Sequence, residues 1–398
     1  MDPGLPSLTE LLRIGRGPSS SHTIGPQHAA RRFRQGLPPG VTVRVELFGS
    51  LAATGAGHGT AAAIAGELAG LPHVLLWHPQ EELPLHPNGM RFMALDRDLQ
   101  PVAQWEVYSI GGGALRDATT PPPATVYPIA SMADLLAWCA ARGAPPWALV
   151  EAYEPAVEGV LTAALVAMDQ AIDRGLVARG ILPGGLGVER KAWTFAARGA
   201  AGGGRSAWLS AFALAAMEEN ATGGEVVTAP TCGACGVVPA ILRWHRLQGA
   251  DPLALRRALA TAALVGALVK RNASISGAEV GCQGEVGTAC AMAAAAACQL
   301  LGGTPAHIEY AAEMGLEHHL GLTCDPVLGL VQMPCIERNA FAALRAADAA
   351  EYALVGDGRH RISFDEAVQA MAETGHDLHR RYRETAEGGL ARVHRMGS

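Results

Sequence analysis

The chain has 398 residues, a mean hydropathy of +0.16 and 49% hydrophobic side chains, enough for one large or two ordinary apolar cores without disulfide staples. A net charge of −6 with scattered basic residues excludes the electrostatic footprint of a nucleic-acid binder and leaves small-molecule chemistry as the default. The opening MDPGLPSLTELLRIGRG lacks the charged start and apolar core of a signal peptide, and the strongly apolar run Ala289 to Leu301 is too short to cross a bilayer. A cytoplasmic protein with reduced thiols and no membrane span is therefore expected.

The first chemically dense segment is Gly15 to Pro26, where Ser19, Ser20, Ser21, His22 and Thr23 lie in a loop that feeds a helix starting near Pro26. Hydroxyls and amides at a helix N-terminus form a ready site for a carboxylate. Period-two patterning predicts a strand over Val41 to Phe48, and the small residues of Gly49 to Ala69 predict a helix after it. Placed after that strand, Gly49 to Thr60 also reads as a second glycine-rich loop, in which Thr54 and His58 can face a ligand. Further strands are expected at His73 to Trp77, Arg91 to Leu95 and Gln104 to Ile110, with a turn through His86, Pro87, Asn88 and Gly89.

The segment Asp117 to Pro128 carries Pro-Pro-Pro and can continue neither helix nor strand, so the domain boundary falls there. The expected architecture is α+β: a small α/β domain with a mixed sheet over residues 1–125, and a larger all-α catalytic domain over residues 126–398. Helices are predicted for Met132 to Ala141, Trp147 to Arg179, Arg205 to Asn220, Val238 to Leu247, Pro252 to Lys270, Glu285 to Leu301, Pro305 to His318, Ile336 to Tyr352 and Phe364 to Arg383. Gly199 to Arg205 reads as a mobile connector.

Three cysteines of the second domain, Cys282, Cys324 and Cys335, sit in segments framed by glycine or proline. Their spacing is too open for a zinc ribbon or a ferredoxin run, yet three thiolates can converge on one inorganic centre and leave a metal position free. Cys232 and Cys235 form a CxxC pair that suits a redox dithiol, half a zinc site or a close-packed turn. The stretch Lys270 to Gly287 is the densest in polar groups, which marks a site, and Lys270 and Asn272 are candidates for stabilising charge there. Lys191 and Lys270 are the only lysines, which leaves little room for a pyridoxal-phosphate enzyme.

Taken in order, SSSHT-x-GP, GSLAATG-x-GH, HPNGM, YSIGGGA, LPGGLG, EEN-x-x-GG, NASISGAEVGCQGEVG, LGLTCDP and PCIERNA resemble the bacterial iron-sulfur L-serine dehydratase family in its single-chain form. The resemblance implies a 4Fe-4S cluster on Cys282, Cys324 and Cys335, whose fourth iron is a Lewis acid, and L-serine as substrate. It implies His58 or His22 as base, Ser19, Ser20, Ser21 and Thr23 as carboxylate anchors, and Thr54, Asn88 and Asn272 among the substrate-binding groups. A homodimer is expected. Unlike longer members, this chain has no cysteine in its tail, Leu390 to Ser398, to reach back to that iron.

Overall fold

The computed structural model describes residues 4–397. After β1 (Ile14–Arg16), the chain builds one mixed sheet from β2 (Thr42–Phe48), β3 (His73–His78), β4 (Gly89–Leu95), β5 (Pro101–Ser109) and β6 (Leu115–Arg116). Its order is β3-β2-β4-β5-β6, with β2 parallel to β3 and every other neighbour antiparallel. Alternate side chains of β2 and β4, including Val43, Val45, Leu47, Met90, Phe92 and Ala94, point to one buried face. Helices Gly25–Arg34 and Thr60–Glu67 cover it through Ala29, Ala30, Phe33 and Ile64. Each large side chain so buried contributes roughly 1.5–3 kcal/mol of transfer free energy.

The helix expected over Gly49 to Ala69 is broken. It runs as Gly49–Ala53, a tight turn Gly55–His58 and Thr60–Glu67. Gly59 adopts φ +71°, and a Cβ on Gly57 would lie 2.3 Å from the Gly329 carbonyl oxygen, so glycine is required for this close approach. The break turns His58 inward, toward the helical part of the molecule.

That larger part is helical and alanine-rich. Pro252–Asn272 and Thr288–Leu300 run through its core, where Ala289 to Cys298 are all buried. Small side chains permit close backbone contact: a Cβ on Gly175 would stand 2.2 Å from the Ala215 carbonyl oxygen of helix Gly204–Ala221. Helices Pro155–Val177 and Pro252–Asn272 have the length and hydropathy of a membrane span, but 72% of the second's apolar window is buried inside the protein.

Several differences from the sequence reading have clear causes. The predicted helix over 147–179 divides at Pro155, where Glu154 accepts hydrogen bonds from the Leu8 N–H, Ser7 and Tyr127. The segment 199–205 is not a free connector but a wide turn between Ala192–Arg198 and Gly204–Ala221, with Gly202 and Gly204 at positive φ. One further strand, β7 (Glu225–Val227), lies within the helical part and pairs with β1. Leu5, Leu8, Leu11 and Leu12 join the helical core as well, so the N-terminal segment is built into both layers.

Candidate active site

The site lies where the sheet layer meets the helical body. Ser19 opens a wide turn, Ser20–Ile24, and its Oγ accepts from the His22 N–H at 3.1 Å. His22 is wholly buried. Its Nε2 is 3.1 Å from Ser50 Oγ, and Ser50 Oγ donates to the Glu384 carbonyl oxygen at 2.6 Å. Because the single Ser50 hydroxyl hydrogen is committed to that carbonyl, Nε2 of His22 carries the proton, and Nδ1 accepts from Ser21 Oγ at 3.0 Å. Burial drives the His22 pKa down to about 4, against the pull of Glu384, so the ring is neutral at neutral pH.

The His58 ring lies 4.5 Å from that of His22, centroid to centroid. Its Nε2 stands 3.4 Å from Glu384 Oε1, which is also 3.4 Å from Nδ1 of His22. With Nε2–H directed at the carboxylate, Nδ1 of His58 holds the free lone pair, and this buried nitrogen has no hydrogen-bond partner among the described residues. Oε2 of Glu384 is likewise buried and unpartnered. Burial opposes the Glu384 charge, but His22, His58 and His86 together hold the carboxyl below its ordinary range.

Glu384 reaches this position from the other end of the chain. Helix Phe364–Asp377 stops before the predicted Arg383, and the chain then runs beside Cys324. The Cys324 N–H donates to the Tyr382 carbonyl at 2.8 Å, and the Glu384 N–H donates to the Cys324 carbonyl at 2.8 Å. Glu384 has φ +55°, an uncommon conformation for a residue with a side chain, held here by these contacts.

The three cysteines come from separate segments: Cys282 before the turn Gln283–Gly287, Cys324 beside Tyr382, and Cys335 at the start of helix Cys335–Ala353. Burial pushes Cys282 up to about 11, and burial together with neighbouring carboxylates and thiols pushes Cys324 and Cys335 well above the ordinary range. Arg338, hydrogen-bonded to Cys282, and the Val286 backbone N–H favour a thiolate there. Such a set calls for a cation to stabilise its charged form. Cys324 also stands 3.8 Å from Glu285 Oε2, and burial followed by the Glu384 charge raises Glu285 to about 8. A Cβ on Gly277 would meet Glu285 Oε2 at 2.9 Å, Cys324 Sγ at 3.2 Å and Glu384 Oε2 at 3.3 Å, so these donors surround one point that only glycine leaves open. Three thiols with an orphaned carboxylate oxygen beside them fit a thiolate-bound metal centre.

Other expected site residues are placed differently. Thr23 Oγ1 donates to the His58 carbonyl and Thr54 Oγ1 to the Ser50 carbonyl, so both hydroxyls brace backbone. Asn88 is fully buried, with Nδ2 on the Ser109 carbonyl and Oδ1 free. Asn272 is exposed and ties its helix end to the Ala130 carbonyl, and Lys270 Nζ donates to the Glu10 carbonyl at 2.7 Å. Both anchor surrounding chain segments rather than join the His–Glu–Cys group. Cys235 packs against Met217, and Cys232 is fully buried on the turn before it.

The residues match two family models, Serine dehydratase beta chain over 7–74 and 71–120 and Serine dehydratase alpha chain over 120–391. The chain belongs to the serine dehydratase family. It is 42% identical to the L-serine dehydratase of Streptomyces coelicolor and 41% to L-serine dehydratase 1 of Escherichia coli, each over 97% of this chain and 98% of the relative. The L-serine dehydratase of Helicobacter pylori is 35% identical over the same shares. Within this serine dehydratase chain, residue chemistry alone had not singled out Glu384, Glu285, Ser50 or Arg338. Glu285, Ser50 and Arg338 lie inside quoted motifs and Glu384 does not, so a buried-charge argument at Glu285 was the one signal available.

Proposed function

We propose that this chain dehydrates L-serine to pyruvate and ammonia, with His58 as the base and a 4Fe-4S cluster held by Cys282, Cys324 and Cys335. The observation that carries the reading is the unpartnered Nδ1 of His58, whose Nε2 is held by a carboxylate lying next to Cys324. When bound, such a cluster supplies an electron-poor iron that polarises the bond to the β-hydroxyl. Nδ1 of His58 takes the α-proton, and Glu384 balances the charge that His58 gains. His22, fixed at both nitrogens, keeps Ser50 and Ser21 in place. The hydroxyls of Ser19 and Ser20 on the first turn after β1 receive the carboxylate, while that of Ser21 stays on His22. Elimination yields aminoacrylate, which tautomerises to the imine, and water then releases pyruvate and ammonia.

The test is anaerobic purification with iron and sulfide measured beside pyruvate formation from L-serine. A preparation that binds iron and sulfide but forms no pyruvate removes the assignment, as does turnover without either.

Lys270 lies outside this mechanism, and Lys270→Met is expected to keep serine turnover within about twofold, an effect of under 0.5 kcal/mol on the barrier. Burial lowers the folded Lys270 pKa to about 8, below its unfolded value. The unfolded chain therefore binds more protons above that pH, and the parent gains stability over the variant as pH rises from about 8 to about 10.4, by at most about 1.4 kcal/mol per pH unit. Melting curves of both proteins across that window check the sign.

We also propose a division into residues 1–125 and 126–398, a cytoplasmic setting and a homodimer. Supporting these are the run Pro121–Pro123, the eight free cysteines, and edge strand β3, which exposes Val74, Leu76 and Trp77 along an unpaired edge. Light scattering at the mass of one 41.2 kDa chain would exclude the dimer.

A further inference from the structure

Helices Pro305–Glu317 and Cys335–Ala353 lie side by side, and with residues 360–362 they enclose an open groove of about 910 Å³. It shares no lining residue with the His–Glu–Cys group. Its walls are aromatic. Tyr310 stacks on His360 at 4.2 Å and 7°, and meets Tyr352 edge-on at 6.2 Å. Phe341 stands 72% exposed at the rim. Such large apolar exposure beside a concave surface is uncommon without a ligand or partner.

The groove also contains Glu313, which is only 3% exposed. Among the described residues, the other carboxylates buried to this degree all have partners: Asp117, Glu218, Glu219, Glu309, Asp325 and Glu384 each accept a hydrogen bond or pair with a cation. Glu313 accepts none and pairs with none. Arg345 and Arg361 also line the groove, but the charges that act on Glu313 are those of Glu317, His360 and Glu309. His360 pairs with Glu309 at 3.0 Å, Asp348 with Arg205 at 2.5 Å, and Arg345 donates to the His318 carbonyl at 3.2 Å. Burial and the neighbouring Glu317 charge raise the Glu313 carboxyl to about 7, and a cation reaching it would favour its charged form.

We infer that this groove binds an organic ammonium ion, with the cation between the Glu313 carboxylate and the aromatic faces of Tyr310 and Tyr352 and its apolar body against Phe341. The carboxylate supplies the charge that Glu313 lacks a partner for, and ring faces attract ammonium groups within about 6 Å of their centroids. An inorganic cation would gain little from the aromatic walls.

The experiment titrates the full chain with choline and, in parallel, with its uncharged carbon isostere dimethylbutanol, by saturation-transfer NMR. Choline is expected to bind at least about fivefold more tightly than the isostere, in line with an aromatic-cage cation interaction of about 1 kcal/mol. Glu313→Gln and Tyr352→Ala are each expected to weaken choline about tenfold while leaving serine turnover unchanged. Gln keeps the shape of Glu and removes a buried charge, so a retained melting temperature certifies the fold. Equal binding of choline and the isostere, or unchanged choline affinity in a folded Glu313→Gln protein, overturns the inference. Because the readout is binding, failure of the serine dehydration reading leaves this result standing.

Discussion

Glu384→Gln is expected to lower pyruvate formation from L-serine by about two to three orders of magnitude while the protein stays folded. The carboxylate sits 3.4 Å from Nε2 of His58 and from Nδ1 of His22, and both histidines are buried. When His58 takes a proton in this dry setting, the new imidazolium needs a counter-charge already in place. Removing one partner of a buried charge pair costs about 3–5 kcal/mol, and each 1.4 kcal/mol on the barrier is about tenfold in rate. The glutamine amide retains the hydrogen-bonding shape but not the charge, so the loss should fall on kcat far more than on KM. Glu384→Asp, which restores the charge on a shorter arm, is expected to recover part of the rate. A Glu384→Gln enzyme within threefold of the parent would show that His58 does not act as the base through this contact.

Serine in place of any one of Cys282, Cys324 or Cys335 is expected to remove bound iron and sulfide and abolish turnover, whereas Cys290→Ala should keep both. The three thiols differ from the others in their surroundings. Cys282 is hydrogen-bonded by Arg338, and Cys324 lies against Glu285 and Glu384. Cys290, by contrast, is packed in the helix core and donates to the Ala342 carbonyl at 3.4 Å. A hydroxyl is a poorer soft-metal ligand than a thiolate, and loss of one ligand from a three-ligand set leaves too few to hold the group. Iron and sulfide retained at parental level in all three serine variants would take the metal centre away from these residues.

The sheet was legible because Val43, Val45 and Leu47 alternate with polar neighbours, and the buried helices because their alanines run unbroken. The two histidines stood out as candidates because each lies in a loop of glycines and hydroxyls, although a satisfied hydrogen bonder in a turn reads the same way in sequence. Glu384 was not, since nothing in its local sequence says that the last stretch of chain will run beside Cys324. Its side chain acquires meaning only from contacts with residues hundreds of positions earlier. The polar run from Lys270 to Gly287 misled for a related reason. Its first three residues end a helix and fasten distant backbone at Gly4, Glu10 and Ala130, while only the later ones face the thiols. Hydroxyls misled as well: Thr23 and Thr54 look like ligand groups in sequence, and in three dimensions each spends its proton on a carbonyl.

The return of the C-terminal stretch past Cys324 has a meaning for biosynthesis. A nascent or clipped polypeptide that stops short of residue 384 already possesses both imidazoles and every thiol of the set, yet it lacks the acid that joins them. A chain cut before residue 384 is therefore expected to carry those side chains and to form no pyruvate.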